Sequence, residues 1–119
     1  MSEELVLKAE AVAARAYAPY SSYNVGAVVR TTDGREFEGV NVENAAYPLG
    51  ICAEKNGIGT AITQGYGPGD FEAIAINASP CGGCRQWLLE FGLDRVVFSK
   101  GDEVIVRRPE ELIPDSFEL

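Results

Sequence analysis

Cys81-Gly82-Gly83-Cys84 sets two thiols three residues apart. On a helix that spacing puts both sulfurs on one face. At a helix start, the free backbone N–H groups and the helix dipole favour thiolate over thiol. Taken alone, the pair fits metal ligands, a redox couple or two small buried hydrophobes. Cys52-Ala53-Glu54 says less by itself, because glutamate suits any first helical turn. Positions two apart do not even share a helical face. For both side chains to reach one centre, Cys52 must stand at the very mouth of its helix.

Together the two segments offer three thiolates and one carboxylate from two helix starts. The chain has no histidine, which excludes serine–histidine and cysteine–histidine nucleophilic sites within one chain. Zinc held by this chain must therefore use thiolates or carboxylates. Acid–base work falls to a carboxylate, a lysine or a tyrosine. Cys52, Cys81 and Cys84 as three ligands leave zinc's fourth position open to water, as in catalytic rather than closed structural sites. Zinc lowers the pKa of such a water to about 7. Glu54 is then the group to take its proton and pass it to the reacting molecule. The expectation is one zinc per chain.

The elements that must position these residues read as α-β-β-α-β-α-β-β-α. Leu5, Ala9, Val12, Ala13 and Ala16 form one stripe of a helix over Glu3–Ala16, ended by Ala18-Pro19. Val25–Thr31 and Glu36–Val42 read as a hairpin about Asp33-Gly34. Gly50 precedes a helix from Cys52 to Gln64, and Gly65–Gly69 is a turn-rich break. Phe71–Asn77 is a short apolar strand. Pro80 suits the first turn of a helix running to Phe91. Arg95–Ser99 and Glu103–Arg107 are strands, and Pro109–Ile113 is a short last helix. A hairpin followed by strand–helix alternation predicts an α/β fold: one mixed sheet with helices on its faces. No repeat or linker divides the chain, so residues 1–119 are expected to form a single domain.

The net charge of −8 opposes binding of a polyanion, and Arg107-Arg108 is the only adjacent basic pair. No nucleic-acid partner is expected. Apolar runs are too short to span a bilayer. The acidic start lacks the basic-then-apolar order of a signal peptide, so a cytoplasmic location without membrane contact is expected. Three cysteines, an odd number without an export signal, argue against a disulfide framework.

Zinc deaminases that use three-thiolate ligation combine it with a non-ligating glutamate and a following P-C-x-x-C. Here that pattern is Cys52-Ala53-Glu54, then Pro80-Cys81-Gly82-Gly83-Cys84. The sequence resembles the small cytidine deaminases almost end to end. The likeness includes Tyr17-Ala18-Pro19-Tyr20-Ser21, Val25-Gly26-Ala27, GVNVENAAYPLGICAE at 39–54, SPCGGCRQ at 79–86, and Leu112-Ile113-Pro114 with Phe117. It implies a three-layer α-β-α cytidine-deaminase-like fold. It also implies zinc-dependent hydrolysis of cytidine or deoxycytidine to uridine or deoxyuridine and ammonia, in pyrimidine salvage. Glu54 would shuttle protons to a ring nitrogen and the leaving amine. By the same likeness Tyr23 packs near the nucleoside, Asn41 and Glu43 bind the ribose hydroxyls, and the Ala53 backbone reads the pyrimidine edge. The family assembles as a homotetramer, so Ala45, Tyr47 and Phe117 would complete a neighbouring chain's pocket. The plainer alternatives are core aromatics for Tyr23 and Phe117, and turn-stabilising polar groups for Asn41 and Glu43.

Two departures from the family pattern stand out. Lys55 occupies the position after the glutamate, where the family commonly has an arginine that offsets thiolate charge. Arg85 remains as either a second counter-charge or a solvated helix face. Only Asn77 and Ala78 separate Ile76 from Ser79, where the family usually has a longer strand end and loop, so the rim of the site is expected to differ. Two rival functions remain open: deamination of another aminopyrimidine nucleoside or related antibiotic, and a catalytically silent zinc-binding module. Glu54 argues against the second, because structural zinc does not need it.

Overall fold

Alternating apolar residues and two close backbone contacts set the architecture. The computed structural model describes residues 2–118. Five strands form one sheet in the order β2-β1-β3-β4-β5, comprising β1 (Gly26–Thr31), β2 (Glu36–Val40), β3 (Phe71–Ile76), β4 (Arg95–Lys100) and β5 (Glu103–Arg107). β3 and β4 run parallel and every other neighbouring pair is antiparallel, so the sheet is mixed as expected. Among the described residues four α-helices accompany it: α1 (Ser2–Ala13), α2 (Ala53–Thr63), α3 (Gly82–Glu90) and α4 (Pro109–Leu112). None is long and apolar enough to cross a membrane.

Side-chain alternation divides the core between the two faces of the sheet. Leu5, Val6, Ala9 and Val12 of α1 pack on Val28, Ala75 and Val97. On the other face Ile58, Ala61 and Leu88 of α2 and α3 pack with Val29, Ile74, Ile76 and Val96. Three layers result, α-β-α. β3, as the central strand, is buried on both faces, which is why it is apolar apart from Glu72.

Glycine sets the helix–sheet spacing at two points. A Cβ on Gly26 would overlap the Ala9 carbonyl of α1. A Cβ on Gly39 would overlap the Gly57 amide nitrogen and the Ala53 carbonyl of α2. α2 therefore lies with its backbone directly against β2, and the Asn56 side chain ties it there by donating to the Val40 carbonyl at 2.7 Å.

Three local expectations need correction. α1 ends at Ala13, ahead of the Ala18-Pro19 stop, and Asn24 donates to the Ala13 carbonyl at 3.1 Å. β2 ends at Val40, and Val42 makes only single bridges, to Tyr17 and Ile51. Pro80 lies outside its helix, because Cys81 is the N-cap of α3. The short step after β3 is closed by Asn77. Its Oδ1 accepts from the Gly26 amide at 2.9 Å, and its carbonyl accepts from Ser99 Oγ at 2.8 Å. One side chain and one carbonyl thus bind the ends of β1 and β4 without a longer loop.

Candidate active site

Cys52 and Cys81 hold equivalent places, each as the N-cap residue of its helix with extended backbone angles. This solves the spacing problem of Cys52-Ala53-Glu54. An extended N-cap points its side chain differently from a helical residue, so Cys52 and Glu54 reach the same side although they lie two apart. The Cys81 sulfur accepts from the Cys84 amide at 3.5 Å, as an N-cap oxygen does for the N3 amide.

The sulfurs of Cys52, Cys81 and Cys84 all lie within 4.8 Å of one another, and those of Cys52 and Cys81 are 3.9 Å apart. Tetrahedral zinc with bonds of about 2.3 Å needs sulfurs about 3.8 Å apart, so the triangle fits the ion with little adjustment. Cys84 is fully buried, Cys52 is half-buried and Cys81 is exposed. Sharing of the Cys84 proton draws the Cys52 thiol pKa down to about 6 against the effect of burial, with smaller help from Cys81 and the Lys55 ammonium. The same sharing, with burial and the Glu54 charge, pushes the Cys84 thiol up.

Glu54 stands in the first turn of α2 and is 3% exposed. Burial pushes its carboxyl up, and the Cys52 charge adds to this. Its own amide, the Cys84 thiol and Lys55 oppose the shift. A carboxyl whose pKa is raised accepts a proton more readily than a free one, as a proton shuttle must. Lys55 rests over the Trp87 ring at 5.7 Å. It supplies charge to the site without an arginine's fork.

A cavity of about 320 Å³ is lined by Tyr20, Ser21, Glu43, Asn44, Tyr47 and Gly50. Glu43 anchors its wall. One carboxylate oxygen accepts from the Tyr20 and Ser21 amides at 2.9 and 3.1 Å, and the other accepts from the Ser21 hydroxyl. The Ser21 hydroxyl leads the causes that hold the Glu43 carboxyl below the usual carboxylate range. Asn41 works in the adjacent loop, accepting from the Val25 amide at 2.8 Å and donating to the Tyr23 carbonyl at 2.9 Å. Both polar residues thus stabilise turns of their own chain, while a carboxylate keeps further acceptor positions.

The structure gathers Cys52, Cys81, Cys84 and Glu54 into one cluster, and Glu43 and Tyr47 into one cavity. Ala53 is buried at the start of α2, and Ala45 is exposed on the loop before the short 3-10 turn Tyr47–Leu49. Tyr23 and Phe117 are 62% and 67% exposed, which removes the core alternative for both. Phe117 lies beside Gln86, Leu89 and Glu90 of α3, in a groove separate from the cavity at Glu43. Ser21 and Tyr20 shape the cavity; the resemblance takes them in within Tyr17–Ser21 but assigns them no role. Their signal is the three-bond grip by Glu43, which exists only once the loop is folded.

Residues 1–100 match the family described as the cytidine and deoxycytidylate deaminase zinc-binding region. A cytidine deaminase of Burkholderia pseudomallei, solved by crystallography, superposes with a TM-score of 0.90 at 42% identity, covering 98% of this chain and 99% of that one. The cytidine deaminase of Mycobacterium tuberculosis superposes with a TM-score of 0.84 at 37% identity, covering 98% of this chain and 97% of that one. A probable cytidine deaminase of Dictyostelium discoideum is 38% identical over 110 residues, which are 86% of this chain and 74% of that protein. By fold, by sequence and by the thiolate triangle beside a buried glutamate, the chain belongs to the zinc-binding cytidine and deoxycytidylate deaminase family.

Proposed function

We propose that this chain hydrolyses cytidine and deoxycytidine to uridine and deoxyuridine, releasing ammonia. The observation that carries it is the buried Glu54 carboxyl set beside three sulfurs spaced for zinc. Cys52, Cys81 and Cys84 hold one zinc ion, which when bound acidifies a water molecule at neutral pH. Glu54 accepts a proton from the attacking water and delivers it to the ring nitrogen. It then takes the second proton from the hydroxyl newly bonded to the ring carbon and gives it to the amino group, which leaves as ammonia while the carbon–oxygen double bond forms. Its burial keeps bulk water from competing for those protons. The Ala53 backbone reads the pyrimidine edge and Tyr23 packs near the base. Three free thiols suit the reducing cytoplasm, where we place the enzyme.

Glu43 and Asn41 bind the ribose hydroxyls. The ionised Glu43 is a strong acceptor for hydroxyl donors. An ultraviolet assay over cytosine and adenine nucleosides, nucleotides and free bases tests the substrate class. Cytidine and deoxycytidine are expected to react, and a panel without turnover of either rejects the proposal. In the same assay Glu43→Gln is expected to lower kcat/KM for cytidine by about tenfold, the scale of one hydrogen bond to a charged group. A 2′,3′-dideoxy analogue should lose less. Unchanged kcat/KM for cytidine would remove Glu43 from the sugar site.

A homotetramer with shared sites completes the pocket. Tyr20 and Tyr47 of the cavity wall, with Tyr17, Tyr23, Leu49 and Ile51 close to them in the chain, leave 45% or more of their surface open, apolar surface suited to cover by another copy. Ala45, Tyr47 and Phe117 enter the neighbouring chain's site. Mixing Glu54→Gln chains with Phe117→Ala chains after dissociation is expected to give activity above that of either parent, because some reassembled sites regain both residues. No gain despite proven mixing would confine Phe117 to its own chain.

A further inference from the structure

Arg85 follows Cys84 directly and is half-buried on α3. It is not a solvated helix face. Its guanidinium folds back to donate through Nε to the Pro80 carbonyl at 2.9 Å and through Nη2 to Ser79 Oγ at 3.2 Å. Nη1 reaches the Leu112 carbonyl at the end of α4, at 3.1 Å. The Arg85 amide donates to the Cys81 carbonyl at 3.0 Å. The carbonyls on both sides of Cys81 are therefore bonded to this one residue.

The three cysteines differ in what holds them. Cys84 is locked by burial, and Cys52 heads a helix seated against β2. Cys81 is exposed, so packing does not fix it. We propose that Arg85 is a positioning residue of the metal centre, fixing the Ser79–Cys81 backbone so that the exposed sulfur keeps its corner of the triangle. This rests on the assignment of the three cysteines as zinc ligands. The planar fork explains the residue type, since three acceptors in three directions need donors in fixed relative positions. Lysine reaches one carbonyl and leaves the others free to turn towards water, and Cys81 turns with them. Through Leu112 the same guanidinium ties this loop to the segment that leads to Phe117.

The test compares wild type, Arg85→Ala and Arg85→Lys. Transfer of zinc from each loaded protein to a chromophoric chelator gives the affinity. Growth in cobalt-containing medium gives Co²⁺-loaded protein, whose visible bands report ligand geometry. Both variants are expected to hold zinc about 10–100-fold more weakly, the usual cost of losing support around a metal ligand. Their cobalt bands should also shift. Should Arg85→Ala fail to fold, Arg85→Lys decides by the same two readouts. Wild-type affinity and an unchanged cobalt spectrum in the folded variants, even with a lower Tm, would overturn the proposal by leaving Arg85 only a general structural role. Wild type that takes up neither metal would instead reject the cysteine assignment itself.

Discussion

Glu54→Gln is expected to lower kcat by at least ~10²-fold, the scale of a lost proton transfer. Zinc content should stay near one ion per chain. Glutamine has the same shape, so the packing that leaves Glu54 3% exposed is kept. It has no proton to exchange, so both transfers of the cycle fail together. Nothing nearby replaces it, for the chain has no histidine and the adjacent Lys55 carries its charge over the Trp87 ring. Stopped-flow turnover with metal analysis of the same sample checks the result. A variant with near-normal kcat and full zinc would take the proton shuttle away from Glu54.

Cys84→Ala is expected to abolish stable zinc binding, and activity with it. Its sulfur is the fully buried corner of the triangle. Removing it leaves two sulfurs on separate helix starts, one half-exposed and one exposed. Affinity should therefore fall by more than the ~10–100-fold lost with an outer-shell partner. Wild type should melt lower once a chelator is added, because metal bound only by the folded state stabilises it. Cys84→Ala should melt at the same temperature with and without chelator. Full zinc retention by the purified variant would remove Cys84 from the site.

The order of elements and the residues of the metal cluster were legible in the sequence because their signals are local. Period-two and helical apolar patterns mark the strands and helices, and C-x-x-C marks one pair of sulfurs. The relation between Cys52 and Glu54 was not legible. It depends on Cys52 being an extended N-cap, a backbone state that the surrounding residue types do not dictate. The roles of Arg85 and Asn77 were left open or missed for a related reason. Most of their partners are backbone carbonyls and amides, some more than twenty residues away, and carbonyls leave no mark in a sequence. Asn41 and Glu43 share this difficulty, since their observed bonds are to loops that fold around them.

The glycine contact between β2 and α2 has a consequence for how such a protein can change over evolutionary time. Where side chains separate a helix from a sheet, each substitution in the core resets the spacing a little, and the helix drifts as the sequence diverges. Between Gly39 and Gly57 no side chain intervenes, and the gap is set by peptide groups that every sequence shares. The end of α2 that carries Cys52 and Glu54 is thus referenced to main chain rather than to packing. Ile58, Val29 and their neighbours can be exchanged for other apolar residues while the reactive groups keep their places. The interior is left free to wander, and the chemistry stays where it is.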